Sequence, residues 1–250
     1  MDKLKGVRVV LDRTSHPGNI GAAARAMKVM GLGDLRLVRP ERFPHAQATA
    51  MASNADDVLD AARVHASLDD ALAGCGLVIG TSARRRSVAQ EIVDPAGAAD
   101  AVLAEPGPVA LVFGCEKSGL DNDALDRCHK LVCVPTSAAY ASLNLAQTVQ
   151  VVCYELHRAV RAGAWSGSAV DGHEPAAHER MEVFFERLER TLKAIRFSTP
   201  GQDRTLHRRL RRLYLRARPD DDELNMLNGI LSRTLELAEE RSDAGEPEDD

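Results

Sequence analysis

The sequence predicts an α/β domain, a parallel sheet with helices on both faces, followed by a small all-α C-terminal extension. Three observations carry this reading. From Val7 to Leu156, short apolar runs alternate with segments of helical periodicity. Those runs show little polar alternation, the pattern of strands covered on both sides rather than half-exposed. Beyond a stretch rich in Gly, Ser, Ala and Pro, only helical periodicity remains.

In chain order, Val7 to Leu11 is a β-branched strand, and the loop DRTSHPGNIG follows it. Ala22 to Met30 reads as an Ala-rich helix ended by Gly31. Leu35 to Val38 is a strand stopped by Pro40, and Ala46 to Leu59 reads as mostly helical. Ser67 and Asp70 open a short helix in the manner of a capping box. Leu77 to Gly80 is a strand, and Thr81 to Val88 a loop holding Arg84, Arg85 and Arg86. Asp94-Pro95 starts a helix with proline in its first turn. Val109 to Phe113 is a strand, and Asp123 to Cys128 a short helix. Leu131 to Val134 is the last strand. A loop of small residues follows, then a helix from Ser142 or Leu143 with Leu145, Val149, Val152 and Leu156 on one face. Ser142 or Asn144 is placed to cap it.

The expected boundaries are 1–162 for the α/β domain, 163–177 for a linker and 178–240 for the helical extension, with 241–250 a disordered acidic tail. The extension is expected as helices over Glu179–Ile195, Asp203–Arg216 and Glu223–Glu240. It is too short for a large core of its own.

Composition narrows the function classes. The chain has 250 residues, 44% hydrophobic and 28% charged, with a formal net charge of −5. No run is long enough to span a bilayer, and the first residues enter a strand without a signal-peptide core, so a cytoplasmic location and no membrane partner are expected. The five cysteines lack CxxC spacing and read as reduced thiols, not bridges or metal ligands; no metal is expected. The average charge hides an asymmetry. Arg187, Arg190, Lys193, Arg196, Arg204, Arg208, Arg209, Arg211, Arg212, Arg216 and Arg218 crowd the C-terminal unit. They suit phosphate contacts, with Phe197 and Tyr214 available for stacking. The other reading is that they pair with the acidic third helix.

In a parallel sheet ligands bind beyond the carboxyl ends of the strands, so four loops hold the candidate chemistry. Asn19, Gly21 and Arg25 lie in NIGAAAR; with a helix start near Gly21, Arg25 sits one turn in, able to hold an anion or simply solvated. Thr81, Ser82 and Ala83 suit adenine or ribose contacts, and the arginines after them a polyanion. Gly114 admits close backbone approach. Glu116 either accepts from ribose hydroxyls or pairs with a neighbouring cation. Val134, Ser142, Leu143 and Asn144 frame the fourth loop.

NIGAAAR, FGCEKSGL and VPTSAAYASLNLAQTVQ, in this order, resemble the three motifs of the SPOUT superfamily of RNA 2′-O-ribose methyltransferases. With TSARRR and RRLYLRARPDDDELNMLNGIL included, the chain is similar to the bacterial tRNA-modifying TrmJ family within it over nearly all residues except the linker and the acidic tail. The resemblance implies a C-terminal trefoil knot in the sheet domain around Val132–Leu156 and an obligate homodimer through that domain. It implies S-adenosyl-L-methionine as cofactor, and as substrate the ribose of an anticodon-loop pyrimidine of tRNA (C32/U32 in the family), with no DNA partner. It assigns the donor contacts to Thr81, Ser82, Ala83, Gly114, Glu116, Val134, Ser142, Leu143 and Asn144, and the catalytic roles to Arg25, Asn19 and Ser142. RNA contacts are expected from Arg84, Arg85, Arg86, Arg208, Arg209, Arg211, Arg212 and Arg216.

A guanidinium keeps its proton in proteins, which argues for Arg25 as a phosphate clamp that orients the 2′-hydroxyl rather than as a base. Ser142 holds either the substrate or the methionine end of the donor. The other classes are a methyltransferase for another RNA, a non-catalytic RNA-binding protein on this fold, and a dinucleotide oxidoreductase. The last lacks GxGxxG after the first strand.

Overall fold

The computed structural model describes residues 2–82, 90–137, 142–161, 174–197 and 203–243. The chain divides into two units, Met1–Gly172 and His173–Asp250. The first contains α1 (Asp2–Lys5), β1 (Val7–Asp12), α2 (Pro17–Val29), β2 (Asp34–Val38), α3 (Ala46–Ala52), α4 (Asp56–Asp60), β3 (Arg63–His65), α5 (Leu68–Leu72) and β4 (Leu77–Thr81). It continues with β5 (Glu91–Val93), α6 (Pro95–Ala104), β6 (Val109–Phe113), α7 (Asn122–Leu125), β7 (Lys130–Val132) and α8 (Leu145–Arg161). The second contains α9 (His178–Ala194), α10 (Asp203–Ala217) and α11 (Asp221–Asp243).

The strands form one parallel sheet in the order β3-β2-β1-β6-β4-β7-β5. Side chains alternate between its faces, and the core divides accordingly. Val9, Leu11, Ile79, Leu111 and Phe113 pack with α2, α6 and α8 on one side. Val10, Val78, Ala110, Val112 and Leu131 pack with α5 and α7 on the other. The sheet is therefore covered on both faces, as the sequence predicts. Truncating a side chain such as Phe113, which is fully buried, to alanine costs about 3–5 kcal/mol.

Local chemistry sets the helix starts. Ser67 Oγ accepts from Asp70 N (3.2 Å), and Asp94 Oδ1 accepts from Gly97 N (2.8 Å). Helix α2 starts earlier than expected, at Pro17, because proline supplies a pre-set first helical residue whose missing N–H costs nothing there. The segment 46–59 is two helices rather than one, because Ser53 and Asn54 turn left-handed between them (φ 49° and 74°). Strands β3 and β5 were not expected. Both are three-residue edge strands, too short and too exposed to show an apolar run. The knot expected around Val132–Leu156 depends on residues 138–141, outside the described residues.

In the second unit, Phe184, Phe185, Leu188, Leu215 and Leu224 form the core. Pro175 bridges Asp220, and Ala176 N donates to Pro219 O (2.9 Å), so residues at the expected end of the linker are tied into this unit. Helix α11 runs through residues 241–243, which the sequence assigned to a disordered tail. Residues 244–250 and 162–173 lie outside the described residues. All five cysteines are free; burial pushes the Cys128 and Cys153 thiols up to about 12. Among the described residues no helix is long and apolar enough to cross a membrane.

Candidate active site and RNA-contact surface

The order β1-β6-β4-β7 sets four of the predicted loops side by side at the carboxyl end of the sheet. Leu11 is in register with Phe113, Gly80 with Val112, and Thr81 with Val132. The loops after Asp12, Phe113, Thr81 and Val132 therefore rise from one rim.

Glu116 ties two of them together. Its Oε2 accepts from Ser15 N (3.0 Å) and Ser15 Oγ (2.9 Å); its Oε1 accepts from His16 N (3.2 Å) and Asn19 Nδ2 (2.7 Å). Burial works to raise this carboxyl, but the bonds from Asn19 and Ser15 outweigh it and hold it below the ordinary range. Its acceptor capacity is thus taken up at the start of α2. These partners are neutral donors, not the neighbouring cation of the alternative sequence reading. Asn19 Oδ1 in turn accepts from Asn144 Nδ2 (3.0 Å), linking the third motif.

Asn144 also caps α8. Its Oδ1 accepts from Ala146 N (2.8 Å), while Gln147 Oε1 accepts from Asn144 N (3.0 Å). This reciprocal pair is a capping box, and Asn144-x-x-Gln147 was its readable signal. The helix begins at Leu145, after Ser142 and Leu143. Ser142 is exposed and Leu143 half-buried. Val134, Ser142 and Leu143 make no hydrogen bond among the described residues. Thr81 Oγ1 donates to Val112 O (3.3 Å), and Ser82 N to Val132 O (3.0 Å), fixing the neighbouring turn. Ala83, Arg84, Arg85 and Arg86 lie outside the described residues.

Gly114 serves the loop itself. A Cβ there would lie 2.2 Å from the Gly119 carbonyl carbon and the Leu120 nitrogen, so only glycine lets the loop close on itself at this point. Gly21 likewise permits helix packing: a Cβ would lie 1.9 Å from Ala48 O of α3. Because α2 starts at Pro17, Arg25 stands beyond its second turn, not beside free helix N–H groups. It is exposed and has no hydrogen bond or ion pair among the described residues. Sequence reasoning missed Ser15 and His16, which act partly through main-chain N–H groups that every residue carries. Among the described residues no cluster of three or more His, Cys, Asp or Glu is placed to hold a metal.

The expected RNA surface of the second unit separates into two sets. Arg211 is bound to both oxygens of Glu182 (Nη1 to Oε2, 3.0 Å) and lies 4.3 Å from the centre of the Phe185 ring, so it is spent within the unit. Arg180 with Asp221 and Arg190 with Glu239 pair with α11, the alternative the sequence left open. Tyr214 packs edge-on against Phe184 at 4.7 Å and belongs to the core, whereas Phe197 is exposed. Arg209, Arg212 and Arg216 have no partner among the described residues. Their i, i+3, i+7 spacing sets them on one stripe of α10. Arg208 makes interactions of its own within the chain.

The SpoU rRNA Methylase family matches residues 6–154, and the C-terminal domain of the tRNA methyltransferase TrmJ matches residues 179–243. The tRNA (cytidine/uridine/adenosine-2′-O-)-methyltransferase TrmJ of Pseudomonas aeruginosa is 46% identical over 246 residues, 94% of this chain and 96% of that protein. The tRNA (cytidine/uridine-2′-O-)-methyltransferase TrmJ of Klebsiella pneumoniae is 44% identical, over 92% of this chain and 96% of its own length. The crystal structure of TrmJ from Z. mobilis ZM4 matches with a TM-score of 0.81 at 35% identity, covering 90% of this chain and 97% of that one. Sheet order, the three linked motif segments and both matched regions lead to one assignment: the chain belongs to the SpoU methylase family, and within it to the TrmJ methyltransferases.

Proposed function

We propose that the chain methylates the ribose 2′-hydroxyl of a pyrimidine in the tRNA anticodon loop, with S-adenosyl-L-methionine as methyl donor. The carrying observation is the bond series Glu116–Asn19–Asn144, which joins all three motif segments at one rim. The TrmJ relatives are named as tRNA 2′-O-methyltransferases for cytidine and uridine, that of Pseudomonas aeruginosa for adenosine as well.

The main-chain groups of Val134, Ser142 and Leu143, which make no hydrogen bond among the described residues, suit the donor together with the turn at Thr81 and Ser82. When bound, it supplies a methyl group on a positively charged sulfur that leaves as a neutral thioether. The protein's part is alignment and exclusion of water. Asn19, held from both sides, positions the ribose; Arg25, exposed and without a partner among the described residues, takes the adjoining phosphate and orients the hydroxyl. Ser142 contacts the substrate or the methionine end of the donor.

Residues 1–162 form the catalytic part and 178–240 the tRNA-binding part, joined by a linker. The arginine stripe on α10 supports the latter role. The assembly is proposed as a cytoplasmic homodimer through the first unit. Incubation with methyl-labelled donor and bulk tRNA, followed by mapping of the modified nucleotide, tests the proposal. Label in an anticodon-loop 2′-O-methylpyrimidine is expected; transfer to ribosomal RNA alone, or to no RNA, refutes it.

A further inference from the structure

Two arginines stand just beyond adjacent strands at the same rim. Asp12 and Val38 are the last register pair of β1 and β2, and Arg13 and Arg39 follow them. Both turn into the left-handed region (φ 53° and 46°), where non-glycine residues are uncommon. Arg13 N donates to Val38 O (2.8 Å) and Arg39 N to His65 O (3.1 Å), so each kinks out of the sheet at a fixed point.

Both side chains meet the carboxylate of Asp12, which is 1% exposed. Arg13 Nε donates to its Oδ2 (2.9 Å). Arg39 Nη2 lies 3.7 Å from Oδ1, close enough for an ion pair and too long for a hydrogen bond, and Oδ1 has no hydrogen-bond partner. Arg13 Nη2 reaches Asp121 Oδ2 (2.7 Å), and the other oxygen of Asp121 caps α7 through Ala124 N (2.9 Å). Asp12 and Asp121 are thus engaged; Glu41 on the next exposed segment is held to the same loop through its main chain, Glu41 N donating to Thr14 O (3.0 Å). Arg39 is 56% exposed and gives none of its side-chain N–H groups to a hydrogen bond among the described residues. Two residues along from Arg13 stands Ser15, which binds Glu116.

We propose that Arg39, set in place by Asp12 beside Arg13, binds a backbone phosphate of the RNA near the target nucleotide. The inference rests on the RNA methyltransferase reading for its ligand. A guanidinium fork with open donors and a fixed base is suited to a phosphate's paired oxygens. Asp12 orients the fork from below without covering its outer edge.

The test compares the full-length protein with Arg39→Gln and Arg39→Lys, using anticodon stem-loop RNA. Affinity is measured across a salt series, and donor binding by calorimetry serves as the check on folding. Arg39→Gln is expected to weaken RNA binding about tenfold and to lower the salt slope by about one. Arg39→Lys is expected to keep the slope and lose part of the affinity. Donor affinity stays at the parent value. RNA affinity and slope unchanged in Arg39→Gln overturn the inference, as does a lowered melting temperature with unchanged RNA affinity, which marks a purely structural ion pair. A parent that binds the RNA but transfers no methyl group refutes the enzymatic reading while the salt slopes still decide the role of Arg39. A parent that does not bind it overturns both.

Discussion

Asn19 and Asn144 meet side chain to side chain, Oδ1 of the first accepting from Nδ2 of the second at 3.0 Å across 125 residues of sequence. Asn144 uses its other atom, Oδ1, to cap α8. One side chain thus performs two separable tasks. Asn144→Asp keeps an equally good cap but sets oxygen against oxygen at Asn19. The expected result is a melting temperature close to the parent's with methyl transfer reduced at least tenfold. Asn144→Ala loses both, with about 1 kcal/mol of stability from the cap alone. Equal activity in Asn144→Asp and the parent would show the asparagine pair to be incidental.

Glu116 carries a pH signature. Its carboxyl titrates below the ordinary 4.5 in the folded chain, so the charged form is the one that folding favours. Its contribution is complete above the unfolded value and is lost as pH falls through the folded one. Glu116→Gln presents an amide to main-chain donors and is expected to cost about 1–3 kcal/mol near neutrality. The difference between parent and variant, from denaturant titrations, is expected to shrink as pH falls below 4.5. A gap that stays constant to lower pH would place the stabilisation elsewhere.

Arg25 stands exposed with no partner among the described residues, so replacing it removes no observed contact. Arg25→Lys keeps the charge and discards the planar fork. Unchanged stability with methyl transfer reduced about a hundredfold is the expected outcome of a bidentate phosphate clamp. Near-full activity would rule that clamp out.

Within the C-terminal unit, Arg211 and the stripe Arg209, Arg212 and Arg216 are expected to behave oppositely. Arg211→Ala breaks the double contact to Glu182 and uncovers Phe185, lowering stability by about 1–2 kcal/mol. Arg209→Ala, Arg212→Ala and Arg216→Ala leave the melt unchanged. Together they weaken tRNA binding and flatten its salt dependence by about three contacts' worth. A stable triple variant with parental tRNA affinity would remove α10 from the RNA surface.

The strands with four or more buried residues were legible because burial on both faces leaves an unbroken apolar run, as in VALVF of β6. Edge strands β3 and β5 were not, since exposure leaves no such run. Arg25, Asn19, Glu116 and Asn144 were legible as motif members, but the bonds that join Asn19 to Glu116 and to Asn144 were not. The Glu116–Ser15 bonds span 101 residues, and nothing local in FGCEKSGL announces them. The start of α2 was misplaced because Pro17 was read as part of a loop when it opens the helix. That shift moved Asn19 into the first turn and Arg25 out of it.

The separation of these partners along the polypeptide has a biosynthetic corollary. A ribosome releases Asn19 long before Glu116, 97 positions later, and Asn144 later still. Once Glu116 emerges it can hold the first motif through Ser15, His16 and Asn19, but the link to the third motif waits for Asn144. A product that terminates before α8 therefore lacks the Asn19–Asn144 bond and cannot complete the rim.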